Sequence, residues 1–224
     1  MKKFLLIAGG IVAVCAAILF FLWPKGPDLS KYDWLKDPQI NKIERQKVIT
    51  VTLTGDPEKI SNQGIAALFK MYYRLKEVDK AVMAIPKARW TGAVDTPKDR
   101  WSAEFAIRVP EEVNALPEQK EGLKVELKYW EYGETAEILH IGPYSDELAD
   151  IGRLTALAKD KNYLLSGRHE EEYLKGPGMF FKGDPKNYKT IIRYTLTKGI
   201  VIKHQPAKAV LKKSTKTSVK KGKK

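Results

Sequence analysis

The chain has 224 residues, enough for one domain of ordinary size with extensions at its ends. Apolar residues make up 43% of it and charged residues 30%, a composition that excludes a largely disordered protein. Its single cysteine, Cys15, excludes an intramolecular disulfide. The three histidines, His140, His169 and His204, show no spacing typical of a metal site, so the sequence predicts neither a metal ion nor a cofactor.

The N-terminal stretch predicts a membrane anchor. Residues 4–23, "FLLIAGGIVAVCAAILFFLW", carry no charge and are long enough to cross a hydrocarbon core of roughly 30 Å. The run ends in "FFLWPKG", a poor cleavage site, which favours an anchor over a cleaved signal peptide. Because Lys2 and Lys3 precede the span, we expect a single-pass protein of a bacterial inner membrane with its domain outside the cytoplasm. The anchor is placed at 1–24 and a spacer at 25–46.

The C-terminal segment, residues 204–224, is predicted to be a disordered basic tail. "KAVLKKSTKTSVKKGKK" contains eight lysines and no acid, and it has little apolar surface to bury. The tail is either simply solvated or in contact with an anionic lipid or polymer, at about 1 kcal/mol per lysine near an anionic surface. No DNA-binding helix-turn-helix accompanies it, so a specific nucleic-acid partner is not predicted.

The central region begins with a strand and a helix. In "KVITVTLTGDPEKISNQGIAALFKMYYRL", Ile49, Val51 and Leu53 alternate with threonines, which is typical of a half-buried strand. Asp56 can then cap a helix whose first turn accommodates Pro57. "KARWTGAVDT" and "RWSAEFAIRV" predict two further strands.

A second copy of this pattern follows. "TAEILHIGPYSDELADIGRLTALAKD" reads as strand, turn and helix, and Leu148 is assigned to the apolar face of that helix. "LLSGRHEEEYL" and "YKTIIRYTL" supply two more strands. Gly55 matches Gly142 and Arg108 matches Arg193 between the copies. The sequence therefore predicts the order β-α-β-β twice.

Two such units predict the architecture. The first repeat is placed at 47–110, a polar connector at 111–123 and the second repeat at 124–203. We expect an α+β fold with pseudo-twofold symmetry, in which antiparallel sheets carry the helices on one side. A ligand cleft would open between the repeats, where neither unit alone can cover its apolar surface.

Three segments of the second repeat carry a family resemblance. "AEILHIGPYSDELADI", "SGRHEEEYL" and "KTIIRYTL" resemble the signature segments of GyrI-like small-molecule-binding domains. That family is similar to the effector-binding domains of multidrug-responsive activators and to the SOUL haem-binding proteins. The resemblance covers roughly Val48 to Leu196. It implies a cleft with one carboxylate, at the position of Glu171, that pairs with cationic and often aromatic ligands.

The chain departs from the family pattern around that carboxylate. Glu172 stands where relatives have an apolar residue, and the Gly-rich segment "KGPGMFFKGDPKNYKT" replaces an Asp-Pro continuation. This segment contains Met179, Phe180 and Phe181. They could form a lid over the cleft, a contact with a membrane or partner, or a local plug, and the plug is the favoured interpretation. These departures do not affect the predicted fold, but they leave the class of ligand open.

Strand alternation selects the candidate site residues. His169, Glu171 and Tyr173 share one face of their strand, whereas Glu170 and Glu172 face the other way. Aromatic side chains around the carboxylate would add contact area and cation–π attraction. The candidate walls of the cleft are Trp90, Trp101, Trp130, Tyr144 and Tyr173.

The favoured function is that of a membrane-anchored protein that captures a small amphipathic molecule, with a cationic aromatic ligand preferred. One alternative is a hydrolase of strained, genotoxic electrophiles in which Glu171 activates water. A second is a membrane-tethered adaptor that docks a protein. Haem ligation by His140 ranks last, because a hydrogen-bonded structural role is favoured for that histidine.

Overall fold

A computed structural model describes residues 28–92, 96–177 and 183–199. Within these ranges the strands are β1 Gln39–Ile43, β2 Gln46–Thr54, β3 Pro86–Thr91, β4 Ser102–Arg108, β5 Glu126–Trp130, β6 Gly133–Ile141, β7 Tyr163–Lys175 and β8 Lys189–Lys198. The α-helices are α1 Pro57–Tyr72 and α2 Leu148–Asp160. Short 3-10 helices cover Ser30–Lys36, Lys98–Arg100, Tyr144–Asp146 and Pro185–Asn187.

The strands form one antiparallel sheet in the order β1-β6-β8-β7-β3-β4-β2-β5. The two halves meet at the β3–β7 pair, and from there each half repeats the same path outward, β3-β4-β2-β5 and β7-β8-β6-β1. The connectivity is β2-α1-β3-β4 in the first half and β6-α2-β7-β8 in the second. This confirms the predicted α+β fold with a doubled β-α-β-β pattern.

The outermost strand β1 belongs to the segment predicted as a spacer, residues 25–46. It pairs along its whole length with β6, and the 3-10 helix before it buries Leu35 against Leu139 and Ile191. Most of the predicted spacer is therefore packed into the sheet. The five residues of β1 form too short a pattern to indicate a strand.

The two strand-to-helix turns have the same construction. Gly55 ends β2 with φ +146°, and Gly142 follows β6 with φ +147°. Residues with a Cβ rarely adopt this backbone region, so glycine is required at both turns. After the first turn, the carboxylate of Asp56 accepts a hydrogen bond from the backbone N–H of Lys59 at 3.2 Å, which confirms the predicted N-cap.

Both helices pack on the same side of the sheet. Leu68 of α1 is fully buried with Phe105 of β4, while Leu154 of α2 is buried with Ile138 and Ile192. Each helix covers the strands of its own repeat. A strip of the sheet along β3 and β7 therefore lies between the two helices.

The predicted localisation in a membrane is wrong on the structure. In the described part of the chain, no helix is both long and apolar enough to span a bilayer. Helices α1 and α2 have 16 and 13 residues and are amphipathic, with one face on the sheet and charged residues on the other. Residues 4–23, on which the anchor prediction was based, lie outside the described residues, as do Met179–Phe181 and the tail 204–224.

Candidate functional site

The strip between the helices carries the predicted carboxylate. Antiparallel pairing of β3 with β7 sets Ala88 beside Glu171 and Trp90 beside His169. Tyr173 packs against the core under α1, and His169 contacts the start of α2. Strand alternation, which the sequence predicts to place His169, Glu171 and Tyr173 on one face, turns that face toward the helices.

A short hydrogen-bonded chain surrounds the carboxylate of Glu171. Oε1 of Glu171 lies 2.8 Å from Nε2 of His169. The hydroxyl of Tyr173 is hydrogen-bonded to the Glu171 carboxylate. Trp90 donates from Nε1 to the Tyr173 oxygen at 3.1 Å. Burial and the neighbouring Glu171 hold the pKa of Tyr173 well above its ordinary value, so its hydroxyl stays a proton donor at neutral pH.

His169 lies between two carboxylates. Its Nε2 is 2.8 Å from Oε1 of Glu171 and 3.4 Å from Oε2 of Glu147, and its Nδ1 is 2.7 Å from the hydroxyl of Tyr194. Burial alone would lower the pKa of His169, but the hydrogen bonds to Glu147 and Glu171 outweigh it and raise the pKa to about 11. At neutral pH the ring is therefore an imidazolium that lies between the carboxyl groups of Glu147 and Glu171.

Glu147 and Tyr194 were missed by the sequence analysis. Glu147 ends the "GPYSDE" segment just before α2 and is 6% exposed. Burial raises the pKa of its carboxyl, although the hydrogen bond to His169 opposes this. An acid at the start of a helix is usually explained by its favourable interaction with the helix dipole. Only the position of Glu147 beside His169 shows that it also belongs to this cluster.

Tyr144 covers this cluster from the solvent side. Its ring packs edge-on against Tyr173, with centroids 5.8 Å apart, and against Tyr188 at 5.5 Å. Burial and the charge of Glu171 raise its pKa, yet 38% of the residue is exposed. Leu148, assigned above to the buried face of α2, is instead 66% exposed.

The remaining aromatic candidates divide between the two faces of the sheet. Trp101 contacts Trp90 edge-on at 5.9 Å, so both lie on the helix side. Trp130 is buried with Val48 and Ala106 on the opposite face, where the guanidinium of Arg89 lies 4.0 Å from its ring centroid. The assignment of Trp130 to the cleft is therefore corrected. Strand β5 was not recognised, so the direction of its side chains could not be worked out.

His140 has the structural role that was favoured. It is 3% exposed, with Nδ1 2.9 Å from the carboxylate of Asp150 and Nε2 3.1 Å from the carbonyl of Pro143. Both ring nitrogens are thus engaged, and neither is free to ligate haem iron in this conformation. The contacts fix the strand-to-helix turn to α2.

The opposite face of the sheet holds a buried ionic network centred on Arg193. Its guanidinium reaches Glu137 at 2.7 Å, Glu170 at 2.5 Å and Glu172 at 3.1 Å. Lys87 lies 3.5 Å from Glu172, and Arg89 lies 2.8 Å from Glu170. Three carboxylates and three cations thus balance in charge. The alternation of Glu170 and Glu172 away from Glu171 was predicted, but their burial was not.

Two surface cavities are lined in part by members of this network. One of about 370 Å³ is lined by residues that include Tyr32, Lys87 and Glu172. The other, of about 250 Å³, is lined by residues that include Arg89 and Glu170. Glu171 lines neither of them.

Comparison with known proteins identifies the fold. An uncharacterised conserved protein from Listeria innocua is 20% identical, and the alignment covers 76% of this chain and 99% of that protein with a TM-score of 0.62. A hydrolase from Listeria innocua is 18% identical over 72% of this chain and 92% of its own, with a TM-score of 0.60. EcmrR in a complex with DNA is 14% identical over 88% of this chain and 68% of its own, with a TM-score of 0.54.

The likeness shows the fold. It is consistent with the GyrI-like architecture that the sequence resemblance implied. No family model matches the chain, and no curated protein sequence does.

Proposed function

We propose that the chain binds a small amphipathic molecule in the strip between α1 and α2, with Glu171 as its central carboxylate. The observation that carries this proposal is the surrounding of Glu171, whose side chain is 12% exposed and lies among Tyr173, Tyr144 and Trp90. An ionised carboxylate in such a site stabilises a bound cation, and the aromatic rings add contact area.

The charge of the cluster favours a monovalent cation. With both carboxyl groups ionised, Glu147 and Glu171 would contribute two negative charges against the one positive charge of the His169 imidazolium. One negative charge therefore remains in a partly desolvated site. A ligand with one positive charge would neutralise it without leaving a buried charge unpaired.

Ligand entry requires Tyr144 to move. Its ring covers Tyr173 and Glu171, but its exposure and its place in a short 3-10 helix leave it weakly held. The exposed Leu148 on the first turn of α2 adds apolar surface to the same segment. The ring of Tyr144 would then pack on the bound molecule in place of Tyr173.

A second candidate function is hydrolysis. A hydrolase from Listeria innocua shares the fold, and Glu171 is held by hydrogen bonds from His169 and Tyr173. In this version Glu171 takes a proton from water as the water attacks a strained ring and the ring bond breaks, and the Glu171 carboxyl then returns that proton to the opened end of the product. Fold alone does not decide between binding and turnover.

A thermal-shift screen with a chelator present tests the binding proposal. The full chain, Glu171→Gln and the control Glu131→Gln would be heated with aromatic quaternary ammonium ions and their neutral carbon isosteres, such as N,N,N-trimethylanilinium and tert-butylbenzene. Ligand at 100 times its Kd adds about 2.7 kcal/mol, hence several degrees in Tm. We expect the shift in wild type and Glu131→Gln alone, and equal shifts in all three proteins would refute the role of Glu171.

The same variants separate the two candidate functions. Incubation with a strained electrophile, such as an activated cyclopropane, measures product formation over time. Turnover that is lost in Glu171→Gln and kept in Glu131→Gln would establish the hydrolase. Saturable binding without turnover would establish the binding protein.

A further inference from the structure

We infer that Glu147, His169 and Glu171 form a binding site for a divalent first-row metal ion such as Zn²⁺. Each residue offers one ligand atom, and the three atoms lie within 4.8 Å of one another. Sequence spacing gave no indication of this site, because Glu147 and His169 are 22 positions apart in the numbering and meet only through the packing of α2 on β7.

The distances suit coordination. Bonds of about 2.0–2.2 Å to nitrogen and oxygen place neighbouring ligand atoms of a tetrahedral site roughly 3.3–3.6 Å apart. Nε2 of His169 is already 3.4 Å from Oε2 of Glu147. The distance from Nε2 to Oε1 of Glu171 is 2.8 Å and would have to increase by about half an ångström. Rotation of the Glu171 carboxylate can supply this increase.

An unpartnered oxygen gives independent support. Oε1 of Glu147 is buried and has no hydrogen-bond partner among the described residues, although the residue is only 6% exposed. A buried carboxylate oxygen is rarely left without a donor or a cation. A metal ion bound by both carboxylate oxygens of Glu147 would satisfy it.

Tyr194 supplies the outer contact that a metal-binding histidine needs. With Nδ1 protonated and donating to the Tyr194 hydroxyl at 2.7 Å, Nε2 of His169 presents its lone pair to the two carboxylates. Such a partner fixes the tautomer and the orientation of a ligating ring. The metal would replace the proton that Nε2 carries in the metal-free protein.

The donor set matches the proposed ion. Two carboxylates and a neutral imidazole carry two negative charges, which a dication neutralises. Imidazole and carboxylate donors together suit Zn²⁺ and its first-row neighbours better than Ca²⁺, which prefers oxygen ligands alone. Three protein ligands leave a coordination position for water or a bound molecule, as in catalytic zinc sites.

This inference does not depend on the proposed function. Metal binding is measured without any organic ligand, whereas the cation screen is run with a chelator, so either can fail alone. A metal ion and a cationic ligand would compete for Glu171, which links the two results if both hold.

The test is a titration of the tag-free full chain with Co²⁺ and Zn²⁺. We expect one Co²⁺ per chain, visible d–d absorption typical of low coordination number, and displacement of Co²⁺ by Zn²⁺. Glu147→Gln should weaken binding by about tenfold or more, and Tyr194→Phe, which keeps all three ligands, by about tenfold to a hundredfold. Glu131→Gln on the opposite face should bind as wild type does.

Melting curves would first establish that each variant is folded. Binding that is absent from the wild type would overturn the inference and leave the His169 imidazolium as the permanent partner of both carboxylates. Binding of equal strength in wild type, Glu147→Gln and Tyr194→Phe would also overturn it, because the metal would then lie elsewhere.

Discussion

Nη1 of Arg193 lies 2.5 Å from Oε1 of Glu170, and the two residues are 5% and 3% exposed on the face of the sheet opposite α1 and α2. Two further carboxylates, Glu137 and Glu172, share the same guanidinium. Taking these charges out of water is costly, and only their mutual pairing offsets that cost. The stability of the domain should therefore depend on keeping the network complete.

Replacing Arg193 with methionine should destabilise the protein strongly. The change leaves three buried carboxylates with incomplete pairing, which typically costs about 3–5 kcal/mol in the free energy of unfolding. Urea unfolding near neutral pH measures it. Arg153→Met is the control, since Arg153 forms ion pairs with Asp37 and Asp150 while 45% exposed, and such pairs contribute about 0–1 kcal/mol. Similar losses in both variants would contradict the network's importance.

Acid should destabilise the protein partly through Glu172. Burial would raise the pKa of this carboxyl, but Lys87 and Arg193 outweigh burial and lower it from 4.5 to about 2. A lowered pKa means that the stabilisation is present above about pH 4.5 and is lost as the pH falls through about 2. The full contribution is about 3 kcal/mol.

Urea unfolding of wild type and Glu172→Gln across this acid range checks that expectation. The variant should be less stable near neutral pH and should lose less stability on acidification, so the two curves converge. Parallel curves would show that Glu172 titrates alike in the folded and unfolded chain.

Gly64→Ala should destabilise the packing of α1 on the sheet. A Cβ at this position would lie 2.5 Å from Cδ2 of Phe105, so the ring or the helix must shift, at about 1–3 kcal/mol. The higher helix propensity of alanine offsets about 1 kcal/mol of this loss in stability. Gly152→Ala in α2 is the matched control, because nothing lies within 4 Å of its Cβ. Thermal unfolding should show a lower Tm for Gly64→Ala and an unchanged or higher Tm for Gly152→Ala; the reverse order would refute the close approach.

Tyr144→Ala should speed ligand entry. Removing the ring that lies 5.8 Å from Tyr173 uncovers Glu171, so association and dissociation rates should both rise. Stopped-flow tryptophan fluorescence with an aromatic quaternary ammonium ion measures both rates. Tyr144→Phe keeps the ring and loses only the hydroxyl, so its rates should stay near those of wild type. Equal rates in all three proteins would show that Tyr144 does not control access.

The sequence predicted the repeat and the central strand well, for reasons that are local. Alternation in β2 and β7 decides which side chains share a face, and glycine at Gly55 and Gly142 is imposed by backbone conformations that other residues rarely adopt. These rules give the face of β7 on which Glu171 lies, whereas its choice as the site carboxylate came from the family resemblance. Such features need only neighbours along the chain.

The features that were missed depend on contacts between distant segments. Arg108 and Arg193 occupy matching positions in the sheet, opposite Val48 and Glu137, yet Arg108 is exposed and Arg193 is buried. The difference comes from the acids that converge on Arg193, including Glu170 from β7. The local sequence pattern could not predict that one arginine is buried and the other exposed. The proximity of Glu147 to His169 could not be predicted for the same reason, since it also depends on contacts between distant segments.

The most direct test of the central claim compares charge selectivity with and without the carboxylate. Isothermal titration of the best cation from the screen and of its neutral isostere, against wild type and Glu171→Gln in chelator, yields four affinities. Wild type should prefer the cation, and Glu171→Gln should lose this preference while still binding the isostere. A preference that is absent from the wild type, or that persists in Glu171→Gln, would contradict the assignment of Glu171 as the ligand-binding carboxylate.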